Sequence, residues 1–301
     1  MNSKRKKGKV TPMKNLFLRG LLLLTLSVLL SANAYEPTPK RACFVGEPKC
    51  VEFVIKKMER RYRPLARQCD HDALFALTYL RTTETFLDTL DEVSYNDPAA
   101  VIREDALFAE YYFRAYDAYH SGVGKFRANN YHSDVGKVPP AWEVAFNAAQ
   151  NHSVSGSGNL ILGFNAHIQR DLPFVLYELY LQGRPVSYFD QTQANEFLQK
   201  VNVLQELALK FEQTIDDGDL PGQEDDRERF QLIAQWREGA YRNFERLRDA
   251  ETDVARAQVA AEIEAYAAQS AELLRQAFSY IPGTDSSQRD AYCKAQQRRK
   301  P

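Results

Sequence analysis

Apolar residues recur at intervals of three and four along nearly the whole chain. Val51, Val54, Ile55, Met58, Tyr62 and Leu65 form one stripe, and Leu74, Leu77, Tyr79, Leu80, Leu87 and Leu90 thicken the next segment. Runs that alternate apolar with polar residues, as a half-buried strand requires, are essentially missing. The expected fold class is therefore all-α: a signal peptide over residues 1–34, then a single domain of seven to nine helices over residues 35–301. One helix is expected over residues 97–119, opened by Asn96-Asp97-Pro98, whose side chains cap free amides while proline occupies the first turn. Its stripe of Phe108, Tyr111, Tyr112, Tyr116 and Tyr119 reads as core. Others follow from Pro139-Pro140 through Trp142, Val144 and Phe146, over residues 191–215, and as a long pair across 227–279. Residues 153–158 read as a flexible connection and 216–226 as a surface loop.

Residues 1–34 hold seven of the 39 Lys and Arg and none of the 40 Asp and Glu. This basic stretch precedes an apolar run over residues 20–30 and the small pair Ala32 and Ala34, the pattern of an export signal cleaved before Tyr35. The remainder carries a net charge of −8, which argues against a nonspecific grip on nucleic acid or on an anionic membrane surface. No later segment has the roughly 18–20 apolar residues of a membrane span, so no stable insertion is expected after cleavage. A periplasmic or extracellular destination suits the four cysteines, whose even number favours two disulfides. Three pairings are open. Cys43 with Cys50 and Cys69 with Cys293 is preferred, because the first closes a local loop with Gly46 and Pro48 and the second ties the C-terminus to the first helices. A zinc site built from these cysteines is the rival, but their spacing does not match a zinc knuckle.

Chemistry concentrates in residues 160–174. His167 and Asp171, four residues apart, share a helix face, where they can grip one metal ion or act as a base with its orienting carboxylate. Pro173 withholds an amide just beyond them, and Gly163, one turn earlier, lets a neighbour approach closely. Asn165 and Arg170 are embedded in the same apolar run and must find partners. Register-fixing hydrogen bonds would give the same letters. The remaining histidines have local explanations: His71 as a surface residue beside a disulfide, His120 at a helix end, His132 and His152 in exposed turns. There is no phosphate loop, dinucleotide fingerprint, His-Glu-x-x-His helix or Gly-x-Ser-x-Gly turn.

The run Gly163-x-Asn165-Ala166-His167-Ile168-x-x-Asp171-Leu172-Pro173 resembles the signature of bacterial domain-of-unknown-function family 5995. Arg-Arg-Tyr-x-Pro-Leu-Ala-x-x-Cys-Asp ending at Asp70, Phe-Ala-Leu-Thr-Tyr-Leu-Arg-Thr-Thr from Phe75, Pro140-Ala-Trp-x-Val-Ala-Phe146 and Val201-Asn-Val-Leu204 extend it across most of residues 51–205. The resemblance implies a helical fold and weight on Asn165, His167 and Asp171, without a reaction. A more distant similarity is to the exported zinc-dependent phospholipase C and single-strand nuclease enzymes, which place a His-x-x-x-Asp pair on a central helix; it implies phosphodiester hydrolysis by metal-activated water. Those enzymes gather three metals with many histidines, whereas this chain has five, none after His167, enough for one or two ions.

These features lead to a divalent-metal-dependent hydrolase of the phosphodiester type. Zinc or manganese is held by His167 and Asp171, Asn165 orients substrate or one of the ligands, and Asp105 or Glu84 completes coordination or accepts a proton. The alternative is a noncatalytic binding or scaffold protein in which Asn165, His167 and Asp171 fix helix register and the aromatic helices line a groove for an apolar ligand.

Overall fold

The computed structural model describes residues 39–121, 138–211 and 226–298. The expected signal segment, His132 and residues 216–225 of the expected loop lie outside them. In chain order the helices are α1 (Pro39–Val45), α2 (Pro48–Gln68), α3 (Ala73–Asp88), α4 (Pro98–Ser121), α5 (Pro140–Gln150), α6 (Gly156–Phe164), a π-helical turn (Asn165–Asp171), α7 (Leu172–Leu181), α8 (Tyr188–Leu198), α9 (Leu204–Lys210), α10 (Asp226–Asp249), α11 (Asp253–Ala277) and α12 (Ser287–Arg298). No strand forms among the described residues; Val154 and Ser279 make an isolated antiparallel bridge.

Local chemistry explains the elements that matter. The α2 stripe of Val51, Val54, Met58, Tyr62 and Leu65 is buried as its spacing requires. Asp97 caps α4, its Oδ1 accepting the Ala100 amide at 2.8 Å. Residues 153–158 are not a free connection: Ser155 Oγ accepts the Gly158 amide, and Gly156, Ser157 and Gly158 form the buried first turn of α6. From there residues 156–181 run as one rod. Pro173 has no amide to return to the preceding turn, and the Leu172 N–H reaches back five residues to the His167 carbonyl, the wider loop of a π turn.

Counted with this rod as one helix, eleven helices form among the described residues, more than the seven to nine expected. Two additions, α1 and α9, are only seven residues long. The stretch expected as one helix over residues 191–215 breaks after Leu198, where the Lys200 and Val201 amides close tight turns on the Phe197 and Leu198 carbonyls. Apolar spacing continues across the break because Val203 and Leu207 are buried on the same side, so periodicity alone misses it.

The described residues make up one compact unit. The π turn sits at its centre, all seven residues buried, against α4, α5, α10 and α11. Both disulfides form as preferred: Cys43–Cys50 ties α1 to α2, and Cys69–Cys293 ties α12 to the end of α2. No helix among the described residues is long and apolar enough to cross a membrane.

Gly163 is where the rod is approached most closely. A Cβ there would lie 2.2 Å from Cδ2 of Phe75 on α3. We expect Gly163→Ala to push the Phe75 ring aside and cost about 1–3 kcal/mol of overpacking, measured as a lowered midpoint in urea unfolding. An unchanged midpoint would show that the ring moves freely.

Candidate functional site

Asp171 is fully buried and its two oxygens are occupied. Oδ2 accepts the indole N–H of Trp142 at 2.9 Å and meets Nδ1 of His167 at 3.0 Å, while Oδ1 accepts an Arg170 Nη1 proton at 3.0 Å. The same guanidinium reaches Glu264 Oε1 on α11 through Nε at 2.8 Å and Nη2 at 2.5 Å. So engaged, the carboxylate anchors the imidazole of His167. Its Oδ2 faces Nδ1, so in the neutral ring the Nδ1–H donates to it and the imidazole's direction is fixed. Asn165 serves a third party: its Nδ2 donates to the Ala267 carbonyl of α11 at 2.9 Å, and its Oδ1 accepts from Gln169 at 2.6 Å.

The His167 ring lies flat on Phe108, centroids 3.5 Å apart and planes 4° from parallel, with Tyr79 edge-on at 4.5 Å. Its Nε2 is buried and makes no hydrogen bond to the described residues. The ring forms part of the wall of a partly open cavity of about 700 Å³. Phe75, Phe86, Phe164, Phe197, Leu160 and Ile233 give that wall its apolar character, a volume and lining that suit a small organic ligand. Polar groups interrupt it in a cluster: Tyr79, Glu104, Asp105, His167 and Arg237. Tyr79 Oη, Asp105 Oδ2 and Arg237 Nε, like His167 Nε2, lack a hydrogen-bond partner among the described residues. Gln191 bridges the other two charges, donating to Glu104 Oε2 at 2.6 Å and accepting from Arg237 Nη2 at 3.1 Å.

Burial dominates the acid–base behaviour. It lowers the His167 pKa below the ordinary 6.5 against the pull of Asp171, so the ring is neutral at pH 7. Burial, with the Glu104 charge beside it, raises Asp105 to about 8, so this carboxyl is largely protonated at pH 7. Tyr79 is pushed well above its ordinary range by burial and by Asp105 and Asp171. The cavity thus presents a neutral base and a protonated acid together, the pairing that general acid–base chemistry uses.

Of the residues singled out in the sequence, His167 and Asp171 meet, and Asp105 borders the same cavity. Glu84 does not join them; it accepts from Arg81 on the outer face of α3, beside Glu206. Arg237 and Glu104 were not singled out and Tyr79 was read only as part of an apolar stripe, although Arg237 carried a signal. It falls four residues from both Ile233 and Tyr241, a cation placed on the apolar stripe of α10.

A second cluster lies apart from the cavity wall. Among the described residues, His71, His152 and Asp290 form a group able to offer three ligand atoms to one metal ion. His71 is only 2% exposed, not the surface residue its position beside Cys69 suggested. Burial and the nearby Arg289 charge lower its pKa to about 3. His120 pairs with Asp72 at 3.0 Å, and burial raises that carboxyl to about 6.

A family of unknown function (DUF5995) matches residues 51–277, and the chain belongs to it. The matched span holds Asp105, His167, Asp171 and Arg237, while Asp290 and Cys293 fall beyond it. No curated protein and no solved structure matches the chain.

The dyad predicts its own spectrum. Nitrogen-15 NMR at pH 7 should find His167 protonated at Nδ1 and bare at Nε2, with titration displaced below pH 6.5. Asp171→Asn should disturb that tautomer; the opposite tautomer in the wild type would contradict the arrangement.

Proposed function

We propose that this protein is a hydrolase of amphiphilic phosphodiesters, working by general acid–base catalysis in the cavity beside His167. The observation that carries this reading is the dyad itself: a neutral imidazole facing Asp171 through Nδ1, its Nε2 buried and unengaged, on a residue that lines a 700 Å³ apolar cavity. In this scheme Nε2 takes a proton from water, whose oxygen forms a bond to phosphorus as the bond to the leaving oxygen breaks. Protonated Asp105 gives its proton to the departing alkoxide. Asp171 holds the ring and stabilises the imidazolium that forms. Arg237 supplies positive charge for the phosphoryl oxygens, and the aromatic walls take the hydrocarbon part. Asn165 holds the rod on α11 and acts by positioning, not by touching substrate.

The occupied oxygens of Asp171 favour a base role for His167 over joint ligation of zinc or manganese by the pair. For a divalent cation the better-placed residues are His71, His152 and Asp290. The two disulfides support an oxidising destination, the periplasm or the cell exterior, with residues 35–301 as the mature single domain. The apolar wall also suits a carrier that holds an amphiphile without cleaving it.

A chromogenic phosphodiester bearing an alkyl chain, compared with a chain-free one and with a carboxylic ester, separates these readings. Wild type should prefer the alkyl phosphodiester, and His167→Ala should lose about 100-fold or more in kcat/KM while still binding a fluorescent alkyl probe. Turnover unaffected by His167→Ala would refute the dyad mechanism, and probe binding without turnover in the wild type would establish the carrier.

The pH profile adds an independent check. Activity should fall at acid pH as His167 protonates below 6.5, and fall again through about 8 as Asp105 loses its proton. The alkaline limb should disappear in Asp105→Asn along with most of the rate; a limb kept in that variant would assign it elsewhere.

A further inference from the structure

We infer that His71, His152 and Asp290 form a zinc site that clamps α12 to the body of the protein. The three come from different places: His71 from the turn between α2 and α3, His152 from the turn between α5 and α6, and Asp290 from the first turn of α12. His71 Nε2 lies 2.7 Å from Asp290 Oδ1, and His152 Nδ1 lies 3.0 Å from Oδ2. The imidazoles stack with centroids 3.8 Å apart and planes 26° from parallel, so both present a nitrogen to the same carboxylate. The three ligand atoms lie within 4.8 Å of one another.

The convergence of two imidazole nitrogens on one carboxylate is what points to a cation. His152 is held at φ +52 because it ends α5, its N–H returning to the Ala149 carbonyl and the Ser153 N–H to the Ala148 carbonyl, and this turn carries its Nδ1 to the group. His71 Nδ1 is buried without a partner among the described residues, and the ring's polar contact is at its Nε2 edge. Two imidazoles and one carboxylate make a His₂Asp set, which suits tetrahedral zinc with the fourth position left for water or Ser286 Oγ, itself 2.8 Å from Asp290 Oδ2. Imidazole nitrogen favours zinc over manganese, which prefers an all-oxygen set. His152 is the exposed member and leaves a path for the ion. The position explains the role: His71 is two residues past Cys69 and Asp290 three before Cys293, so ion and disulfide join the same two segments side by side.

The full-length chain, stripped with a chelator and dialysed, is titrated with zinc and with manganese by calorimetry, and its metal content is measured by mass spectrometry. We expect one zinc per chain, weaker manganese, and a Tm that rises with zinc. His167→Ala should keep this zinc, and His152→Gly should lose both the stoichiometric zinc and the Tm response. Glycine is unstrained at φ +52, so the variant folds, which circular dichroism verifies. Asp290→Ser should behave like His152→Gly. Absence of stoichiometric zinc in the wild type overturns the proposal, as does zinc kept by His152→Gly and lost from His167→Ala. Because the site is separate from the cavity, phosphodiesterase activity in zinc-free protein leaves the clamp untouched, and zinc binding without turnover leaves the hydrolase reading to fail by itself.

Discussion

A carboxylate sealed from water organises the centre of this fold. A charge in that position destabilises a protein severely unless its hydrogen-bonding capacity is filled, and stripping one partner from such a group typically costs about 3–5 kcal/mol. Asp171 meets the requirement with donors from two elements: the indole N–H of Trp142 on α5, and Arg170 and His167 from its own π turn. Arg170 carries the arrangement outward to Glu264 on α11, which fixes how that helix lies on the rod. One interaction set therefore joins α5, the rod and α11. It also leaves His167 with a single permitted orientation, its free nitrogen opposite the carboxylate.

Much of this was legible in the sequence, for reasons particular residues make plain. Spacing of three and four foretold the α2 stripe, because a helix that buries one face must repeat that way. His167 and Asp171 were foretold to meet because residues four apart are neighbours on any helical turn. The role of Asp171 was not legible: it depends on Trp142, twenty-nine residues earlier, arriving with its N–H aimed at the carboxylate. Glu84 illustrates the same limit. It continues a run of four from Leu80, yet α3 buries Thr83 and Phe86 at that level and turns Glu84 outward to Arg81. Arg237 was hidden in an Arg- and Glu-rich stretch that reads as a solvated face, and only its register with Ile233 and Tyr241 set it apart.

The position of the cavity follows from how three apolar clusters meet. Phe75, Tyr79 and Val203 belong to one, Ile168 to a second, and Phe86, Val101 and Phe197 to a third, and all of these border the cavity. Helices packed at interior density leave little room, so a space this large marks a place where regular packing is interrupted. Two irregularities supply the interruption: the π turn, which widens the rod at His167, and the break between α8 and α9, whose residues 199–203 form one wall.

The mechanism proposed for that space depends on α4 as much as on the rod. Phe108 stacks on the His167 imidazole, and Asp105 sits one turn earlier on the same helix. The proposed base is therefore held from below by Asp171 and across its face by the element that carries the proposed acid, so the separation of the two is set by helices and not by a loop. Such rigidity is what proton transfer in both directions demands, since a misplacement of about 1 Å can cost a hundredfold in rate. It also accounts for the opposed protonation states. The same apolar enclosure that denies His167 a proton denies Asp105 its charge, and with Glu104 adjacent the carboxyl retains its proton where the imidazole gives its own up.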